Sequence, residues 1–210
     1  MSKQRRREWA KDLLPASLAT LDEADVERAH VEGCALAGQR AERVRFQEVR
    51  LVSGDLAETS ATALSWTDVE CERSQLWTVD WPGAKFVRVV FRDCRANGAR
   101  WSDAELHDVR FIGCQLDDAW FSGARFSGVS FERCRLRDAD FGGADLGGAS
   151  FIECDLGGVS FVGAKLQGTD IHRSFGKDLR VEARDVRGLV VNADQAAKLA
   201  ALFGLVVRDS

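Results

Sequence analysis

The sequence predicts an all-β solenoid, a chain wound as a coil around a narrow apolar interior, on three observations. Every fifth residue from Leu21 to Ile171 is apolar, which makes 31 positions in one unbroken register. Small residues occupy the place two before each of these positions from Val69 to Thr169. Similar side chains then recur at every fourth unit of this repeat. A period of five fits neither a helix nor a strand, so the backbone has to turn a corner in each unit.

Each five-residue unit directs one large and one small side chain inward. Ten of the 12 phenylalanines stand in the large column, and five of the six cysteines stand in the small column. The other three positions of the unit carry Arg, Asp, Glu, Gln and Gly, as solvent-facing and turn positions require. The residues expected to form the core include Phe86, Phe91, Phe111, Phe121, Phe131, Phe141, Phe151, Cys94, Cys114, Cys134 and Cys154.

The interval of four units predicts a coil with four sides. The four cysteines from Cys94 to Cys154 are spaced by this interval, and so are the valines from Val69 to Val129. Like residues at this interval stack when each turn lies over the previous one. Between residues 21 and 171 there is room for about 7.5 coils, and backbones ~4.8 Å apart give a rod of ~36 Å. Each coil then buries about four large side chains, worth ~1.5–3 kcal/mol each.

Composition and residue spacing exclude several classes of function. A formal net charge of −4 is too small for a polyanion-binding protein. His30, His107 and His172 are far apart and flank inward positions, and the cysteines lack CxxC spacing, so we expect no metal, no cofactor and no catalytic site. We interpret the cysteines as reduced, buried small side chains. The sequence shows no secretory or membrane-spanning segment, which favours a cytoplasmic protein.

Within this repeat the triplets Ala139-Asp140-Phe141, Ala144-Asp145-Leu146 and Cys154-Asp155-Leu156 resemble the A-[D/N]-L-x-x motif of the pentapeptide-repeat family. The resemblance covers about three quarters of the chain and implies a right-handed quadrilateral β-helix of about 7–8 coils. The uninterrupted repeat is closer to the mycobacterial fluoroquinolone-resistance type than to the Qnr type, whose coils are interrupted by loops. It implies a non-enzymatic protein that binds DNA gyrase or topoisomerase IV as a partial DNA mimic, without binding nucleic acid itself.

We expect both ends of the chain to cap the coil. We therefore divide the chain into an N-terminal cap at 1–20, the β-helix at 21–175 and a C-terminal module at 176–210. Trp9, Leu13 and Leu14 have the spacing of a helix face that Pro15 would end, although a frayed basic tail is the alternative. The repeat register is expected to fail after Ile171.

The C-terminal module is expected to contain a helix between two short strands. Leu189–Val191 has the composition of a strand, and Asn192 with Gln195 forms a capping-box pattern. The helix would run to Phe203 with Gly204 after it, and a strand would follow at 205–207. The resemblance implies a homodimer through this module, with a monomeric cap as the alternative. The interface residues would be Leu199, Leu202, Phe203, Leu205 and Val207.

Charge density tests the idea of DNA mimicry. B-DNA carries one negative charge per ~1.7 Å, so a coil would need roughly three net negative charges. Residues 21–70 hold 11 acidic and 5 basic residues, whereas residues 71–175 hold 15 and 13, which falls short on average. An acidic edge is still expected at Asp117, Asp118, Asp138 and Asp140, although Arg133, Arg135 and Arg137 lie close to it in sequence. The alternative is ordinary solubilising charge on a general protein-interaction scaffold.

Overall fold

The computed structural model describes residues 12–207 and shows a parallel β-solenoid of about eight turns that ends in one helix, as the five-residue period predicted. All strands belong to one continuous parallel sheet that winds with the coil. The elements are β1 (Leu14–Ala16), β2 (Ala24–Glu32), β3 (Arg40–Val52), β4 (Ser60–Glu72), β5 (Lys85–Arg92), β6 (Glu105–His107), β7 (Arg110–Ile112), β8 (Arg125–Ser127), β9 (Ser130–Glu132), β10 (Ser150–Asp155), β11 (Asp170–Phe175) and the helix α1 (Ala193–Leu202).

Each turn of the coil takes four units of the repeat, and four faces therefore run along the rod. We number the faces by their large inward residues. Face I carries Trp81, Trp101, Phe121, Phe141 and Phe161; face II carries Phe46, Trp66, Phe86, Leu106 and Phe126; face III carries Phe91, Phe111, Phe131 and Phe151; face IV carries Leu76, Ala96, Leu116, Leu136 and Leu156.

The faces differ in how their backbones pair. Faces II and III form the named strands, in which Phe86 pairs with Leu106 and Phe111 pairs with Phe131. Faces I and IV join successive turns by single bridges, such as Asp80 to Arg100 and Gln75 to Arg95. Between faces the chain turns through a residue with positive φ, for example 55° at Asp118. Glycine and aspartate tolerate that conformation better than most residues, which explains their frequency at corners.

The interior is filled by stacked aromatic rings. Along face III, Phe131 lies between Phe111 and Phe151 with ring centroids 4.8 Å away on each side and rings tilted by 5° and 4°. Across the interior the ring meets Phe121 of face I edge to face, at 5.9 Å and 84°. Parallel stacking along the axis and edge-to-face contact across it both suit the charge distribution of aromatic rings. Phe111, Phe131 and Phe151 are at most 1% exposed.

The small column brings the cysteines to face IV with their thiols turned inward. All six cysteines are buried and none forms a disulfide. The Sγ atoms of Cys114 and Cys154 donate to the carbonyl oxygens of Phe91 and Phe131, at 3.5 and 3.4 Å. Burial raises the pKa of the Cys34 thiol to about 11. The thiols therefore serve the packing as small side chains that also satisfy a backbone acceptor.

At the N-terminal end, Leu14–Ala16 form β1, which pairs in parallel with Ala29–Val31. Leu14 and Pro15 thus lie in a strand, where the sequence suggested the end of a helix. Leu13 is described and is not helical, whereas Trp9 falls outside the described residues.

At the C-terminal end, the coil continues past Ile171, so the expectation that the register fails there is wrong. Phe161 N donates to Arg180 O, and Ile171 N donates to Val190 O. Val181 and Val191 keep the five-residue step and pack against the core. The sequence pattern was obscured because Gly176 replaces a large residue next to the backbone of Leu156, where an added Cβ would come within 3.1 Å.

The helix α1 closes this end with the capping box that the sequence predicted. Asn192 accepts from Gln195 N at 2.9 Å, and Gln195 Oε1 accepts from Asn192 N at 2.8 Å. The Gln195 amide also donates to Ile171 O and Ser174 O of the last coil. Gly204 follows the helix with φ of 81°. The two expected flanking strands do not form: 189–191 contributes only the bridge at Val190, and 205–207 has no strand pairing.

We predict that Phe131→Asp destroys the cooperative thermal transition. The substitution removes an aromatic ring that two neighbours sandwich and places a carboxylate without a partner in its site. Phe131→Leu is the matched control and should keep a single transition with a loss of about 1–2 kcal/mol. Circular dichroism melts measure both, and an unshifted melt of the aspartate variant would contradict the stacked interior.

Two buried tryptophans on face I give a second, paired prediction. The Trp81 indole donates to Thr59 Oγ1 at 3.2 Å, whereas the Trp101 Nε1 has no partner within the described chain. Trp81→Phe and Trp101→Phe remove the same volume, but only the first also removes a hydrogen bond. We expect Trp81→Phe to cost about 1 kcal/mol more in urea unfolding. Equal losses of unfolding free energy for the two variants would show that the Trp101 indole also donates a hydrogen bond in solution.

Candidate protein-interaction surface

Faces II and III carry ladders of ion pairs between successive coils. Arg88 Nε and Nη2 donate to the Asp68 carboxylate at 2.7 and 2.6 Å, and these hydrogen bonds raise the pKa of Arg88. Arg110 Nη2 donates to Glu132 Oε1 at 2.8 Å. Like pairs join Arg28 to Glu48, Arg45 to Asp25, Arg125 to Glu105 and Arg173 to Glu153. Most charge on these two faces is therefore compensated within the protein.

Faces I and IV are less balanced. Between residues 21 and 175, faces I and IV together carry 12 acidic and 6 basic residues, whereas faces II and III carry 14 and 12. The first pair of faces thus has a net charge of −6 and the second pair a net charge of −2, which gives the rod an acidic side. This asymmetry is hidden in the total net charge of −8 for residues 21–175.

Half of this excess lies where face IV turns into face I, an edge that also carries Arg40 and Arg100, and the other half lies at the opposite end of face I. We call the edge between faces IV and I the acidic corner and define it by Glu58, Asp80, Asp118, Asp138 and Asp140. Within residues 12–207, none of these five carboxylates is in an ion pair, in contrast to the ladders of faces II and III. Asp118 and Asp138 are exposed corner residues with φ of 55° and 56° in successive coils. The charges of the acidic corner are thus left for solvent or a partner.

The four aspartates expected from the sequence do not behave alike. Asp118 and Asp138 lie exposed on the acidic corner, and Asp140 is half-buried, with a carboxylate that accepts from Gly142 N at 3.0 Å. Asp117 lies on face IV, where Arg135 Nη2 contacts it at 2.6 Å and Arg137 N donates to it at 3.1 Å. Asp117 is therefore compensated and does not belong to the corner.

Sequence reasoning missed Glu58 and Asp80. Glu58 is three turns before Asp118, and Asp80 is three turns before Asp140, so the four-unit step that placed the cysteines contained the signal. The nearby arginines compete less with the corner than expected. Arg135 and Arg137 pair with Asp117 and Asp155, each at 2.6 Å, and Arg133 belongs to face III.

The other candidate surface is apolar and lies on the C-terminal module. Leu202, Leu205 and Val207 are 55%, 63% and 54% exposed, whereas Leu199 and Phe203 are half-buried. A groove of about 440 Å³ opens between α1 and the last coil, lined by Leu179, Leu199 and Leu202 among others. Apolar side chains grouped in this way at one end of a rod are typical of an association surface.

The repeat matches two sequence models of known families. Residues 64–141 match the model described as a pentapeptide repeat region, and residues 139–174 match the one described as pentapeptide repeats in eight copies. The chain belongs to the pentapeptide-repeat family. No curated protein sequence matches this pentapeptide-repeat protein.

Solved structures of other pentapeptide-repeat proteins resemble it in fold. Full-length QnrB1, a plasmid-mediated fluoroquinolone resistance protein, matches with a TM-score of 0.54 and 17% identity over 84% of this chain and 100% of its own. HetL, involved in heterocyst differentiation regulation in the cyanobacterium Nostoc sp. strain PCC 7120, gives a TM-score of 0.41 and 16% identity over 91% and 92% of the two chains. At this identity the likeness to QnrB1 shows the fold alone.

Metal-ligating and membrane-spanning features are absent from the described part of the chain. In residues 12–207, no group of three or more His, Cys, Asp or Glu side chains is arranged to hold a metal ion. None of the helices in that range has the length and apolar character to cross a bilayer. His107 and His172 lie on the surface beside Asp108 and Asp170.

Proposed function

We propose that this pentapeptide-repeat protein binds a type II topoisomerase, DNA gyrase or topoisomerase IV, and that its acidic corner occupies part of the surface that DNA would use. The observation that supports the proposal is the set of five carboxylates without an ion pair where face IV turns into face I, in contrast to the ion-pair ladders of faces II and III. The protein would act in the cytoplasm, without catalysis of its own, by modulating the enzyme or protecting it from a poison.

The geometry of the rod suits a partial mimic better than a complete one. Stacked rings on face III repeat every 4.8 Å, so Asp118 and Asp138 in successive coils are one step of that length apart, whereas Glu58 lies three coils before Asp118. Duplex DNA carries about one charge per 1.7 Å from both strands, which a single corner does not reach. The acidic corner can therefore replace one stretch of phosphate backbone, and the compensated faces II and III would stay outside the DNA channel.

Similar proteins support the choice of partner. QnrB1, which shares the fold, confers fluoroquinolone resistance. Fluoroquinolones poison gyrase and topoisomerase IV, and binding to these enzymes is an established role in the family. A basic channel for DNA also attracts an acidic rod from a distance, which favours fast association at low salt.

We predict that the protein inhibits gyrase supercoiling or reduces poison-stabilised cleavage, and that Asp118→Asn with Asp138→Asn weakens this effect roughly tenfold at low salt. Two ion pairs worth about 0.7 kcal/mol each account for that loss. Asparagine tolerates the positive φ of both corner sites, so the fold should persist. The measurement is a titration of supercoiling and cleavage for gyrase and topoisomerase IV, repeated at higher salt.

Glu105→Gln with Glu153→Gln is the matched control. Both glutamates are exposed and paired on faces II and III, so the control makes the same change of net charge away from the acidic corner. It should act like the unaltered protein. Equal weakening by both double variants would point to net charge alone, and no effect of the unaltered protein at micromolar concentration would contradict the topoisomerase role.

We also propose that the protein is a homodimer through its C-terminal module. Leu202 lines the open groove under α1 and is more than half exposed, as are Leu205 and Val207 after the helix. A second copy would remove them from water, at ~25 cal/mol for each Å² buried. A dimer would double the length of the rod and present two acidic corners to one enzyme.

For the dimer, Leu202→Arg with Leu205→Glu is expected to halve the mass in multi-angle light scattering. Both side chains are exposed, so their substitution should leave the melting transition in place. Leu14→Arg, a change of an equally exposed side chain at the opposite end, should keep the dimer. If the mass of the C-terminal variant is unaltered, α1 caps the coil and does not form a dimer interface.

A general scaffold is the second candidate, and the ion-pair ladders favour it. Arg88 with Asp68 and Arg110 with Glu132 stiffen faces II and III into charge-balanced surfaces, which suit partners other than DNA-binding enzymes. This alternative requires no effect on supercoiling and no special role for the acidic corner.

A further inference from the structure

Two exposed tryptophans flank the acidic corner. Trp77 lies on face IV immediately before the corner residue Thr78, and Trp120 lies on face I two residues after Asp118. Their exposed fractions are 39% and 48%. Among the described residues from 21 to 171, one further large apolar side chain is exposed, Val162 at 40%. Single exposed apolar residues are common, but both tryptophans stand at the edge that also holds the uncompensated carboxylates.

Trp120 already serves as a platform for a cation. The Arg100 guanidinium carbon lies 5.6 Å from the centre of the Trp120 ring, and the two residues are bridged in neighbouring coils. On the other side along the column, Trp120 is bridged to Asp140 of the acidic corner. Arg100 therefore fixes the indole in place, while about half of the side chain is still open to solvent. Preformed aromatic surfaces bind with little further loss of conformational freedom.

We propose that Trp77 and Trp120 are the apolar anchors with which the acidic corner binds a protein partner through that partner's arginine- and lysine-rich surface. The two tryptophans lie two coils apart, or about 10 Å along the axis, with Asp80 and Asp118 at the same levels. The aliphatic stems of the partner's arginine or lysine side chains pack against the exposed part of each indole, and their charged groups pair with the carboxylates. The inference rests on the proposed function and assigns to it the residues that hold the partner.

The chemistry of the surface around Trp77 and Trp120 favours a partner that is rich in arginine and lysine. Asp118 and Asp140 lie next to Trp120, and Glu58 lies next to Trp77 in the preceding coil. This surface therefore repels nucleic acid and anionic lipid surfaces even with Arg100 present. Guanidinium and ammonium groups are attracted both to these carboxylates and to indole rings. Tryptophan and arginine are the residue types most enriched among those that dominate binding energy at interfaces. Acidic residues without such anchors would give fast but weak association, because exposed charges contribute little affinity.

The first arm of the test measures binding of the full-length protein to gyrase holoenzyme. Trp77→Ser with Trp120→Ser should weaken the dissociation constant at least about tenfold. Leu14→Ser removes an exposed apolar side chain from β1, about three coils or more from the two tryptophans, so it should change nothing. If the tryptophan variant binds as tightly as the unaltered protein while Asp118→Asn with Asp138→Asn binds more weakly, the anchors are refuted and the topoisomerase role survives.

The second arm does not depend on gyrase. Protein labelled with 5-fluorotryptophan is titrated with a nona-arginine peptide at low salt, and the fluorine resonances are assigned by single Trp→Phe variants. The resonances of Trp77 and Trp120 should both shift, whereas those of the buried Trp66, Trp81 and Trp101 should stay in place. A stationary resonance at Trp77 or Trp120, or a shift produced by duplex DNA instead, overturns the inference. Absence of gyrase binding with these two shifts intact would reject only the topoisomerase partner.

Discussion

Stacking of like side chains from one coil onto the next is the interaction on which the structure depends. Each of Phe111, Phe131 and Phe151 contacts its neighbour at 4.8 Å, which is also the separation of paired backbones. Ring stacking and backbone pairing therefore require the same rise per coil, so both interactions can adopt their preferred distance. Because a residue contacts chiefly its equivalents one turn away, the stability of the rod is close to a sum over neighbouring coils.

The same regularity determines the surface. A side chain that faces outward in one coil lies above its equivalent in the next coil, so a run of charges becomes either a ladder of ion pairs or a row of like charges. Faces II and III form ladders, as Arg88 with Asp68 shows. The acidic corner forms the row, with Asp118 and Asp138 in successive coils. A rod in which most acidic residues of two faces are paired can thus carry unpaired carboxylates along one edge.

The architecture could be predicted from the sequence because the large column repeats without a gap from Leu21 to Ile171. The C-terminal continuation could not, since Gly176 interrupts the column, and it is the backbone bonds from Phe161 to Arg180 and from Ile171 to Val190 that reveal it. The pairing of charged side chains could not be predicted from the sequence either. Asp117 and Asp118 are adjacent in sequence, yet only Asp117 is within 2.6 Å of an arginine. Which carboxylate is compensated depends on the corner angle between faces, which the period does not give.

The first strand carries a consequence for self-assembly. A parallel solenoid displays, at each end, a coil whose amide and carbonyl groups have the spacing of a fibril template, and a second rod can in principle add to it indefinitely. Pro15 stands in the middle of β1 and has no amide hydrogen to offer an incoming strand. Together with α1 over the last coil, Pro15 disfavours the addition of further strands to the ends of the coil.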